Sequence, residues 1–301
     1  MHSTTTLAFF LTCVGFLCSC SSPTQKNPIH TITPGMILAD VEFLSSDEMN
    51  GRHYRSKEGK LAAKYIADEW EKAGLVPLLG KTSMYLPTND MRDSPNVAAM
   101  LPGTEDTYIL ITAHYDHLAP KRSGKDRIYN GADDNASGTA ALIAMARVLG
   151  ELHTKYKSSI VLVAFTGEEA GLVGSEHFAK SEPIPMRSIK ALINLDMISR
   201  GDANTIFLEG SSGAPRIALA LSNANKEIGL TIVKGKHPDW LYRSDQQPFL
   251  EQGVPAVFLS VEDHEDYHQV TDHADKILPG LAAKTTKLTL LAALELAHPV
   301  P

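Results

Sequence analysis

Only three of the 301 residues are cysteine, and all three, Cys13, Cys18 and Cys20, fall within the first twenty positions. Everything beyond residue 20 therefore lacks a disulfide and has no thiolate to offer a metal. A metal held there must be bound through His, Asp and Glu. Also missing is a long run of Lys and Arg. With a formal net charge of −7, the chain has no cationic stripe of the kind from which nucleic-acid affinity mainly comes. No apolar run reaches the roughly 20 residues that span a bilayer comfortably. Composition excludes little else: 43% hydrophobic and 21% charged residues are ordinary for a globular protein. The length suffices for a substantial core, in one large α/β domain or two small ones. Twelve histidines are more notable, and only those at meaningful spacing carry weight.

Leu7 to Cys18 is almost wholly apolar and runs into Ser19-Cys20, followed by Ser21, Ser22 and Pro23. The segment reads as an export signal. Small residues ahead of a cysteine resemble a bacterial lipoprotein cleavage box. Cys20 would then be the lipidated N-terminus of a cell-envelope protein facing the periplasm or the surface. A plain secretory signal cut nearby, or an uncleaved anchor, fits the same stretch, whose start carries His2 and the terminal amine but no Lys or Arg. Residues 21–35, with Ser, Thr, Pro and Asn prominent, read as a tether, and residues 36–301 as a single domain.

Between Gly59 and Ala73 the apolar residues Leu61, Ala62, Tyr65, Ile66, Trp70 and Ala73 recur at three- to five-residue spacing, with Gly74 as a stop. That spacing predicts an amphipathic helix. Short apolar runs at Thr107 to Ala113, Ser159 to Phe165, Lys190 to Leu195 and Val254 to Val261 predict buried strands. Helical patterns fall at Ala136 to Leu152, Glu169 to Lys180, Ala214 to Ile228 and Leu281 to Ala297. Strands alternating with helices of this length imply an α/β fold, a three-layer sandwich whose central mixed, mostly parallel sheet is flanked by helices.

Each expected strand runs into polar residues at its C-terminal end: His114-Tyr115-Asp116, then Glu168-Glu169, then Asp196, then Glu262 to His268. A fifth cluster, GADDNASG from Gly131 to Gly138, opens the helix after the first of these strands. The C-terminal edge of an open α/β sheet is where ligands bind. Any one cluster could be capping or solvation, but five at one edge point to a site. Carboxylates and imidazoles converging there repel unless cations neutralise them. Without cysteine the donor set suits zinc, with manganese or cobalt as substitutes. Five ligands serve two ions if one carboxylate is shared between metals roughly 3.5 Å apart.

Taken together and in order, His114-x-Asp116, GADDNASG, TGEE from Thr166 to Glu169, NLDM from Asn194 to Met197, SDQQPF from Ser244 to Phe249 and Tyr267-His268 resemble the co-catalytic dizinc aminopeptidases of bacterial secretions. Glutaminyl cyclases and the transferrin receptor ectodomain share that fold. The resemblance covers most of residues 36–280. It implies that His114 and Asp196 hold one zinc, that Glu169 and His268 hold the other, and that Asp133 bridges them. It further implies Glu168 as general base and a cis peptide between Asp133 and Asp134.

The chemistry fits these roles. Water shared by two zinc ions has its pKa lowered toward roughly 7 and is hydroxide-like. Glu168 can take its proton and pass it to the leaving amine. Asp116, on the same side of an extended segment as His114, can orient the imidazole. Tyr267 can donate to a developing oxyanion. Asp134 and Asn135 read as helix caps, His117, His264 and His273 as rim or structural residues, and Asp245 as a residue that fixes loop geometry. The expectation is an exported zinc aminopeptidase with two Zn²⁺ per chain, acting on peptides with a free N-terminus. A single-zinc cyclase-like transferase and an inactive binding protein on the same scaffold are the alternatives. No nucleic acid is expected, membrane contact comes only through a lipid at Cys20, and a monomer is the expectation for assembly.

Overall fold

The computed structural model describes residues 1–2, 28–90 and 92–300. The export segment, Cys20 and the first part of the tether lie outside the described residues. Eight strands form one sheet, in the order β1-β2-β4-β3-β5-β8-β6-β7. They are β1 (Tyr85–Leu86), β2 (Asn96–Leu101), β3 (Tyr108–His114), β4 (Ser159–Phe165), β5 (Ile189–Leu195), β6 (Thr205–Glu209), β7 (Thr231–Lys234) and β8 (Ala256–Ser260). The four central strands, β4, β3, β5 and β8, run parallel, while β2 and β6 join them antiparallel. The mixed sheet is thus as expected.

Parallel strands covered on both faces read as continuous apolar runs, and β4 shows why. Ile160, Leu162 and Ala164 join the core on one face, and Val161, Val163 and Phe165 join the core on the other. The larger core is covered by α1 (Pro34–Leu44), α2 (Lys57–Lys72), α3 (Gly138–Gly150), α5 (Pro215–Ile228) and α7 (Pro279–Leu296). Across the sheet, α4 (Val173–Ser181) and α6 (Gln247–Glu251) bring Phe178 and Phe249 against Phe165 at ring separations of 5.8 and 6.0 Å.

Helix α2 forms where the sequence indicates. Ser56 Oγ accepts from Gly59 N at 2.9 Å as an N-cap, Ala62, Ala63, Ile66, Ala67 and Trp70 are buried, and Gly74 at φ +83° ends it. Residues 28–35 depart from the tether expectation. Ile29 and Ile32 are buried, Thr33 caps α1, and Pro34 takes its first turn. Two isoleucines among Pro, Thr and His have no periodicity to reveal them.

The sheet fixes the site. His114 is the last residue of β3, Glu168 and Glu169 follow β4 by a few residues, Asp196 follows β5 directly, and His268 lies in the segment after β8. All are at C-terminal strand ends.

Candidate metal centre

His114 is buried where β3 meets the C-terminal edge, its Nε2 3.2 Å from Asp196 Oδ1 and 3.4 Å from Asp134 Oδ1. On the far side of Asp134, Oδ2 lies 3.2 Å from His268 Nε2, which is 3.1 Å from Glu169 Oε2. Zinc bonds of about 2.0–2.2 Å place neighbouring tetrahedral ligand atoms roughly 3.3–3.6 Å apart. The four separations are close to that edge length, so the donors fit two zinc ions that share Asp134. Four of the five expected ligands, His114, Glu169, Asp196 and His268, are brought together.

Asp133 is not, and the carboxylate that lies between His114 and His268 is that of Asp134. Asp133 Oδ1 accepts from Ser199 N and Oγ at 2.8 and 2.6 Å, and its Oδ2 faces His264 Nε2 at 3.2 Å. It pins the loop to the segment after β5. The turn kinks out of helical geometry at Asp134 (φ −105°, ψ 98°) and Asn135 (φ −127°, ψ 47°), which aims Asp134 into the cluster. The cis peptide is likewise one residue further on, at Asp134-Asn135. Asn135 does cap: its Oδ1 accepts from Gly138 N at 2.9 Å, while Nδ2 donates to Leu195 O.

Supporting groups hold each donor. Ser244 Oγ donates to Asp196 Oδ2 at 2.7 Å, and Asn194 Nδ2 donates to Ser244 Oγ. His114 Nδ1 lies 3.2 Å from the main-chain oxygen of Asp116, whereas the Asp116 carboxylate is 3.8 Å away and accepts from Glu168 N. The expected orienting contact therefore comes from the Asp116 carbonyl, and its carboxylate instead fixes the Glu168 backbone. Asp272 accepts from Asp133 N and Asp134 N. Arg52, fully buried, donates to the carbonyls of Leu44, Tyr115, Asn130 and Gly131. One guanidinium so ties the His114 segment to the Asp134 loop. Burial lowers Arg52 to a pKa of about 10, against the opposing pull of Asp134 and Asp116.

The field at the cluster calls for positive charge. Burial would lower His114, yet Asp196, Glu168, Asp116 and Asp134 together hold its imidazole well above the usual histidine range. Burial likewise opposes the charging of His268, but Asp134 and Glu169 raise it to about 10. Carboxylates that draw protons onto imidazoles this strongly will also hold a divalent cation. Burial, with Asp196, Asp245 and Glu169 adding to it against the pull of His114, raises the Glu168 carboxyl well above the ordinary glutamate value. Asp245, fully buried and with neither oxygen hydrogen-bonded among the described residues, is pushed up to about 7, chiefly by burial.

Tyr267 stacks on His268 with ring centroids 4.0 Å apart. With Met197, Trp240, Phe258 and Ser260 it walls a recess beside Asp196, with Arg243 and Asp263 also lining it. His264 and His273 behave as supporting and rim residues, the latter 3.9 Å from Asp126 with its side chain 40% exposed. His117 lies at no rim: it is fully buried, with Nδ1 2.6 Å from Glu169 Oε1. Its signal in the sequence is its place three residues after His114.

Residues 96–293 match the model of Peptidase family M28. A probable leucine aminopeptidase of Trichophyton verrucosum is 30% identical over 271 residues, covering 85% of this chain and 70% of its own. A probable zinc metalloprotease of Pyrenophora tritici-repentis is 30% identical over 207 residues, covering 58% of this chain, which spans about half the length of that relative (47%). Among solved structures, the LapA aminopeptidase of Legionella pneumophila superposes with a TM-score of 0.76 at 22% identity, covering 91% of this chain and 74% of that one. At that identity the likeness establishes the fold.

Proposed function

The chain belongs to Peptidase family M28, and from that premise we propose that it is an aminopeptidase that holds two zinc ions and removes N-terminal residues from peptides. The observation that carries the reading is the division of Asp134: one carboxylate oxygen faces His114 and the other faces His268. His114, Asp134 and Asp196 would hold one ion, and Asp134, Glu169 and His268 the other. Zinc bound there supplies Lewis acidity for the scissile carbonyl and lowers the pKa of water toward neutrality.

The chain's own groups do the rest. Glu168 lies next to the ligand Glu169, with its backbone N–H fixed on Asp116 Oδ1 at 3.2 Å. Its raised carboxyl suits a group that takes a proton from the attacking water and returns it to the departing amine, a role worth roughly 10²- to 10⁴-fold. Tyr267, which lines the recess, would donate its phenol proton to the oxygen on which negative charge develops. The apolar walls of the recess, Met197, Trp240, Phe258 and the Tyr267 ring, suit an N-terminal side chain such as leucine. The aminopeptidase direction draws on the likeness to the probable leucine aminopeptidase of Trichophyton verrucosum. Export and a lipid at Cys20, read from the sequence alone, would place the activity on peptides outside the cytoplasm.

A panel of aminoacyl p-nitroanilides beside their N-acetylated forms tests the direction of attack. Cleavage that needs a free α-amine supports the aminopeptidase reading. Cleavage of blocked substrates alone overturns it.

A further inference from the structure

His117 is fully buried, and neither ring nitrogen has a hydrogen-bond partner among the described residues. Its Nδ1 nevertheless points into the cluster, 2.6 Å from Glu169 Oε1 and 3.8 Å from Asp134 Oδ2. Glu169 Oε1 likewise has no well-formed hydrogen bond among the described residues. Two buried polar atoms this close without good hydrogen-bond geometry are costly. A cation that both can bind removes the cost. The ring has little freedom to turn away: a Cβ at Gly131 would come within 2.5 Å of its Cδ2, and the His268 ring lies 5.8 Å off, tilted by 60°.

Resting on the two-zinc reading above, we propose that His117 Nδ1 is a fourth protein donor at the metal position formed by Asp134 Oδ2, Glu169 and His268. The two positions are then unequal. One has four protein donors, the closed arrangement of structural zinc sites. The other, with His114, Asp134 and Asp196, has three and keeps a place for water or substrate. The His117 position fills first and holds its ion more tightly, and the His114 position is where exchange and substrate binding occur.

Stepwise zinc titration of the metal-free full-length protein tests this, with wild type, His117→Ala and His117→Gln compared and each checked for folding by thermal unfolding. Zinc-edge X-ray absorption of the wild type loaded with one equivalent counts the imidazoles on that ion. The expected result is two unequal steps in the wild type, two imidazoles on the first ion, and a tighter step weakened in the variants by more than about a hundredfold, beyond the 10- to 100-fold typical of losing an outer partner. One imidazole on the first wild-type ion, or a loss of less than tenfold in a folded variant, overturns the proposal and leaves the two-zinc reading standing, with His117 acting only through Glu169. Fewer than two ions bound by the wild type overturns both. The absorption measurement needs no variant, so it decides the matter even if neither substitution folds.

Discussion

Asp133 and Asp134 are chain neighbours whose carboxylates serve different networks: Asp133 is hydrogen-bonded by Ser199 at 2.8 and 2.6 Å, while Asp134 stands between His114 and His268. Their substitutions should therefore separate. Asp134→Asn removes the negative charge and one of the two oxygen donors between His114 and His268, and bound zinc should fall below two per chain. Asp133→Ala leaves the Ser199 N–H and hydroxyl unpaired in the interior, a loss of about 1–3 kcal/mol of stability. Refolded Asp133→Ala should still take two zinc ions. Metal content by elemental analysis, set beside urea denaturation, checks both.

Arg52 makes a second test of how the site is held. Replacing it by Met strips the hydrogen bonds from the carbonyls of Leu44, Tyr115, Asn130 and Gly131, all of them buried residues. Destabilisation of about 3–5 kcal/mol is expected, the scale for breaking a buried charged network. Arg52→Lys should recover only part of this, because an ammonium cannot reach several directions in one plane. Denaturant midpoints of the two variants measure the difference.

Much of this site is legible in the sequence, for a physical reason. Strands buried on both faces are nearly continuous apolar runs, so the ionisable residues at their C-terminal ends, His114 and Asp196 above all, are marked by contrast. The register inside GADDNASG is not legible. Which of two adjacent aspartates faces His114 and His268 depends on the φ and ψ of Asp134 and Asn135, and no periodicity governs a kinked turn. Helix α1 escapes for another reason: Ile37, Val41 and Leu44 are its inward stripe, but it is short and follows a stretch of Ser, Thr and Pro. Arg52 gives no signal, since a buried arginine that binds carbonyls looks in sequence like a surface one. β7, at the sheet's edge, is brief and partly exposed, and β6 beside it is only five residues long, so neither stands out as β3 to β5 do.

Removing zinc should cost stability as well as activity. A ligand bound only by the folded state contributes about 2.7 kcal/mol at a hundredfold excess over its Kd. With the carboxylates of Asp134, Glu169 and Asp196 left facing one another, the apo protein should unfold at a temperature lower by at least several degrees. Differential scanning calorimetry with and without a chelator, followed by zinc restoration, reads the shift and its reversal.

The recess beside Asp196 should set side-chain preference. Trp240→Ala enlarges it and removes apolar surface, so KM for a leucyl substrate should rise, with kcat/KM falling about 10- to 200-fold. A substrate with a larger aromatic N-terminal residue should lose less. Parallel kinetics on leucyl and phenylalanyl p-nitroanilide compare them.

The most direct test of a zinc-dependent hydrolysis with Glu168 as its proton carrier is the turnover of leucyl p-nitroanilide by zinc-loaded Glu168→Gln, with bound zinc measured on the same sample. Two zinc ions retained, KM little changed and kcat lower by at least about a hundredfold is the predicted result. A variant that keeps its zinc and works within tenfold of the wild type would contradict it.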